Sequence, residues 1–115
     1  TPDTLIQMMI DLKIRQVEGS EVEYNNKINT LRTQIDVVDH QLIESLGKRM
    51  KIADQIGHLK KDNNVAILQT KRWNEILGKM ILQGEEKNLS EEFILRVFKA
   101  IHQESINHQK KVAEV

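Results

Sequence analysis

The chain has 115 residues, of which 30% are charged, 39% hydrophobic and only 3% aromatic, with one proline and five glycines. So few aromatics and so little turn material exclude a strand-rich fold, which needs both. Seventeen basic residues balance seventeen acidic ones, which argues against a nucleic-acid partner, and the lack of cysteine excludes a disulfide framework, a thiolate metal site and a cysteine nucleophile.

The same composition permits a reducing compartment, and a cytoplasmic location is the expectation. No apolar run approaches the roughly 20 residues of a membrane span, so no membrane contact is expected. The chain begins Thr1-Pro2 without Met and is expected to be a fragment or a processed product.

Residues 3–16 are apolar at helical spacing, with a stripe of Leu5, Ile6, Met8, Met9 and Leu12. Glu18-Gly19-Ser20 is expected to break that pattern. A second helix is expected from about Glu21 to Asp62, where Asp62-Asn63-Asn64 supplies turn residues. A third spans about Leu68 to Glu86 and is expected to end at Gly84 and Asn88-Leu89. Ser90 is a good N-cap for the last helix, with Glu91 and Glu92 in its first turn. The expected fold is all-α: a three-helix subunit with one very long first helix.

That long segment carries a heptad seam: Ile28, Leu31, Ile35, Val38, Leu42, Ser45, Arg49, Ile52, Ile56 and Leu59 alternate at spacings of three and four. About 40 helical residues span roughly 60 Å. A compact monomer of this length is only about 35 Å across, judged from its expected radius of gyration. Such an apolar seam needs a partner, and an intertwined homodimer is inferred.

Polar groups interrupt the seam. Arg49 at a core-facing position is costly unless paired, although a register-setting or snorkelling arginine would explain it alone. Lys60 lies eleven residues on, nearly three whole turns, so the two cations point the same way. Gln69, Arg72 and Trp73 share one face of the third segment, where Trp73 reads most simply as a core anchor leading into Ile76, Leu77 and Met80. In the last helix Ser105 falls on the apolar stripe, with Gln109 one turn beyond. Faces that should be buried thus collect donors without enough carboxylates to pair them, which points to an anionic ligand. His40, His58, His102 and His108 include no i, i+4 histidine pair, and no metal site is expected.

The ordered set Leu31-Arg32, Ile35, Asp39, Leu42, Arg49, Gly57 and Lys60, continuing through Arg72, Gly84, Phe98, Ser105 and Gln109, resembles the all-helical class of chorismate mutases over about residues 27–112. The resemblance implies an interlocked dimer with two equivalent sites that rearranges chorismate to prephenate without a cofactor. It implies that Lys60 and Gln109 hydrogen-bond the ether oxygen of the breaking C–O bond. Arg49 would bind one carboxylate, and Arg32, supplied across the interface, another. Arg72 would add positive charge, and Ser105 would contact a carboxylate. The spacing agrees on one point: Arg32 and Arg49 are 17 residues apart on one helix, a rise of roughly 26 Å. One small molecule cannot touch both within a chain.

This chemistry suits the residue types, because a sigmatropic rearrangement needs orientation and donors at the developing oxyanion rather than a nucleophile. Two positions depart from the family pattern. Gln69 stands where the family has an acidic residue, and Trp73 where it has a Glu that contacts the substrate's ring hydroxyl; Trp73 cannot accept that bond, so Gln69 or a backbone carbonyl is the expected substitute, and both residues remain substrate-binding candidates. An apolar residue there is similar to the related isochorismate-pyruvate lyases, which form one alternative. A non-catalytic helical dimerisation module forms another. Domain boundaries are expected at 1–22, an extension or linker from a preceding domain, and 23–115, the mutase domain. The first segment is expected either to come from a fused 3-deoxy-7-phosphoheptulonate synthase or to extend a free-standing enzyme.

Overall fold

The computed structural model describes residues 2–114, with the side chains of 12–18 left aside. Three helices follow one another: α1, Pro2–Asp62; α2, Thr70–Glu86; and α3, Glu91–Ala113. The chain divides into two compact units, Thr1–Ile43 and Glu44–Val115. Among the described residues no helix is long and apolar enough to cross a membrane.

The expected break at Glu18-Gly19-Ser20 does not occur, because α1 runs through it without interruption. A lone glycine costs only about 1 kcal/mol in a helix interior. Strong helix formers on both sides offset it, and the chain's one proline sits at the first helical position, where its missing N–H is harmless.

In the first unit the seam faces outward. Leu31, Ile35, Val38 and Leu42 are each more than half exposed. Leu5, Ile6, Met8 and Met9 form a second exposed apolar stripe, and Leu12 lies outside the described side chains.

The second unit holds the buried residues. Ala53 from α1 and Ile94 and Ile106 from α3 form its apolar centre. Trp73, Ile76, Leu77 and Met80 of α2 are half-buried. Glycines allow the close approaches. A Cβ at Gly57 would sit 2.8 Å from the Gln109 Cα and 2.5 Å from the Val112 Cγ2, so α1 and α3 nearly touch there.

Both turns use the same device. Asn64 and Asn88 take positive φ, 55° and 60°, a region asparagine tolerates better than most residues. The Val65 and Asn64 amides then donate to the Lys60 and Lys61 carbonyls, and the Leu89 and Asn88 amides to those of Gly84 and Glu85. Each is a Schellman motif that satisfies the last carbonyls of its helix. Gly84 is therefore not a terminator: it lies inside α2, buried against Ile94. Ser90 caps α3 as expected, accepting from the Phe93 amide at 3.2 Å.

Candidate active site

The Glu44–Val115 unit encloses a cavity of about 420 Å³. From α1 it takes Arg49, Ile52, Ala53, Ile56 and Lys60; the connecting loop adds Ile67 and Gln69. α2 contributes Arg72, Trp73 and Ile76, and α3 contributes His102, Ser105, Ile106 and Gln109. Seven of the eight residues singled out from the sequence therefore line one space. The eighth, Arg32, is exposed in the Thr1–Ile43 unit and is not among the lining residues.

Helical phase explains the convergence. Arg49, Ala53, Ile56 and Lys60 repeat at three and four on one face of α1. His102, Ser105, Ile106 and Gln109 do the same on α3. Gln69 occupies the N-cap position of α2 with an extended backbone, φ −123°, and its side chain makes no capping bond. α2 enters from that corner with Arg72 and Trp73 in its first turn.

Lys60 is held by acceptors. Its Nζ donates to the Ile67 carbonyl at 2.6 Å and to the Gln109 Oε1 at 2.9 Å. Lysine only donates, so the Gln109 oxygen faces it and the amide N–H groups stay available to another acceptor. The first bond ties the loop after α1 to Lys60, and the second ties Lys60 to α3. Arg49 donates from Nη1 to the Ser105 hydroxyl, and that hydroxyl donates to the Ile101 carbonyl at 3.0 Å.

The electrostatics have one sign. Arg49, Lys60 and Arg72 line the cavity, and among the described lining residues there is no carboxylate. Burial lowers the pKa of Arg49, and the charge of Arg72 lowers it further. Burial also lowers that of Lys60. These shifts record the cost of keeping cations together away from water, a cost that a bound anion offsets.

Among the polar members of the wall, His102 has no role assigned by the sequence pattern. His102 stacks on Trp73, with ring centroids 4.1 Å apart and planes 19° from parallel. Its pKa is lowered, first by burial and then by Arg49 and Lys60. The only hint in the sequence is a histidine on the apolar stripe of α3. Trp73, its stacking partner and one of the residues singled out from the sequence, lines the cavity as well. Outside the cavity, the His108 ring contacts Asp54 at 2.8 Å and Glu104 at 3.1 Å, joining α1 to α3. Among the described residues no group of histidines and carboxylates could hold a metal ion.

Known proteins resemble the chain over the residues that form this cavity. The chain is 33% identical over 88 residues to the bifunctional chorismate mutase/prephenate dehydratase of Buchnera aphidicola subsp. Acyrthosiphon pisum, covering 76% of this chain and 23% of that protein. It is 25% identical over 89 residues to the protein of the same name from Escherichia coli strain K12, covering 77% and 23%. It is 24% identical over 90 residues to the T-protein of Haemophilus influenzae, covering 78% and 24%. The chain thus spans about a quarter of the length of these curated relatives. The two bifunctional relatives pair the mutase with prephenate dehydratase, not with the synthase that is one of the two expected origins of residues 1–22. Residues 31–110, which include every cavity-lining position and Arg32, match the family model for chorismate mutase type II, and the chain belongs to that family.

Proposed function

We propose that the chain rearranges chorismate to prephenate in aromatic amino-acid biosynthesis, using the cavity of the Glu44–Val115 unit. The observation that carries this reading is a cavity lined by three cations and two amides, without a carboxylate among its described lining residues. Chorismate is a flexible dianion. Arg49 and Arg72 bind its carboxylates, with Ser105 beside Arg49, and hold it in the folded conformer from which the new C–C bond forms. Negative charge then grows on the ether oxygen as the C–O bond breaks. The Lys60 ammonium and the Gln109 amide, already bonded to each other, donate to that oxygen and stabilise the transition state more than the ground state. The rearrangement moves electrons within one molecule, so no nucleophile, redox group or cofactor is required.

The active form in this proposal is an interlocked homodimer in which Arg32 of one chain completes the site of the other. The exposed row Leu31, Ile35, Val38 and Leu42 supports it, since an apolar strip of that kind marks an association surface. Leu42→Glu is expected to lower the sedimenting mass from twice 13.4 kDa to the single-chain value and to abolish turnover. Retention of the larger mass would remove the seam from the interface. In the native protein, residues 1–22 are read as an extension or linker outside the mutase domain at 23–115, and the enzyme works in the cytoplasm.

The deciding experiment is the loss of chorismate absorbance on adding the protein, with prephenate identified as the product. Pyruvate released from isochorismate, without turnover of chorismate, would instead assign the lyase activity. Inertness toward both would leave a helical dimerisation module.

A further inference from the structure

We propose that His102, stacked on Trp73, is a specificity-determining residue that recognises the ring hydroxyl of the substrate through its unprotonated ring nitrogen. The inference rests on the mutase reading and deepens it.

The cavity wall is rich in donors and short of acceptors. Lys60 occupies both the Ile67 carbonyl and the Gln109 Oε1, and the Ser105 hydroxyl is shared between Arg49 and the Ile101 carbonyl. Among the described lining residues, no hydrogen bond engages the side chains of Gln69 or His102. A hydroxyl must donate as well as accept when it is buried. Its carboxylate neighbours are committed to the arginines, so the hydroxyl needs an acceptor from the wall.

His102 has the geometry for this. Stacking fixes its ring plane against the indole, which leaves the ring edge, where both nitrogens lie, as its polar surface. It sits one turn before Ser105 and two turns before Gln109 on the same face of α3. The charged groups lining the space around it are Arg49 and Lys60 from α1 and Arg72 from α2, and α3 adds no charge of its own to the lining. Burial, Arg49 and Lys60 all disfavour the imidazolium, so one nitrogen stays bare to accept while the other donates. Gln69, at the N-cap of α2, lines the same cavity.

Trp73 is the single tryptophan of the chain, so its fluorescence reports occupancy of this cavity directly. The test compares chorismate with its ring O-methyl ether, which cannot donate, by fluorescence titration and by turnover. Wild type is expected to bind chorismate about tenfold more tightly than the ether, the ordinary worth of one hydrogen bond. His102→Phe keeps a ring on Trp73 and removes both nitrogens; it is expected to bind the two ligands equally, and His102→Asn to restore part of the preference. In wild type the preference is expected to hold at neutral pH and to shrink only as the pH falls below 6.5, the ordinary histidine value from which this ring is lowered, where the ring gains its second proton and can only donate. The pH series needs no variant, so it decides the matter even where a substitution impairs folding. A preference that survives in His102→Phe, or that ignores pH in wild type, overturns the inference while leaving the mutase reading intact. Binding without turnover of chorismate sinks the mutase reading, and the same titration still decides whether His102 reads the hydroxyl. If chorismate does not quench Trp73 at all, the inference falls as well.

Discussion

Replacing Lys60 or Gln109 with alanine is expected to lower kcat for chorismate by about 10²–10³-fold, the usual effect of removing one preorganised donor from a developing oxyanion. KM should change much less, because these donors act chiefly in the transition state. The Lys60→Ala loss should be the larger. It removes the ammonium and also leaves the Ile67 carbonyl and the Gln109 Oε1 without their shared donor. The Gln109 amide then loses the contact that turns its N–H groups away from α1. The two substitutions should not multiply, since each disturbs what the other positions. Steady-state kinetics on the two single variants and the double variant measure all of this. Full activity in both single variants would remove these residues from the mechanism.

Gly57→Ala should destabilise the protein by about 1–3 kcal/mol, in the range for overpacking a tight contact. Gly84→Ala should cost clearly less. Both substitutions gain roughly 1 kcal/mol of helix propensity, so the difference lies in what the new methyl meets. At Gly57 it meets backbone: the Gln109 Cα at 2.8 Å and the Gln109 O at 3.0 Å, besides the Val112 Cγ2 at 2.5 Å. α3 must shift bodily, and Gln109 moves with it. At Gly84 it meets the Ile94 side chain, Cγ1 at 2.6 Å and Cδ1 at 2.9 Å, which can rotate. Denaturant midpoints measure the stabilities, and kcat separates them further, because only Gly57→Ala displaces Gln109, the amide proposed to act on the ether oxygen. Equal losses of stability at the two glycines would contradict this account of the α1–α3 approach.

The sequence was most legible where the governing interactions are local. The extent of α3 followed from Ser90 and the acidic first turn, and the end of α1 from Asn63-Asn64. The cavity was legible because its residues repeat at three and four along helices, so that Arg49 with Lys60 and Ser105 with Gln109 had to share faces. Gly19 carries a turn signal, but inside a long helix a glycine costs too little to break it. Gly84 is a different case. Its role is to admit Ile94 from another helix, and nothing within a few residues of it announces that contact. His102 escaped notice for the same reason, since its partner Trp73 lies 29 residues away on α2. The family resemblance named positions, but it could not show that Trp73, one of its departures, meets His102 face to face.

The outward row Leu31, Ile35, Val38 and Leu42 also bears on how this protein's stability is to be defined. In the proposed homodimer, the second copy that shields that row would bind the native chain and not the denatured one, and would add RT ln(1 + [L]/Kd) to the free energy of unfolding. The melting temperature is then a function of concentration, and dilution alone acts as a denaturant.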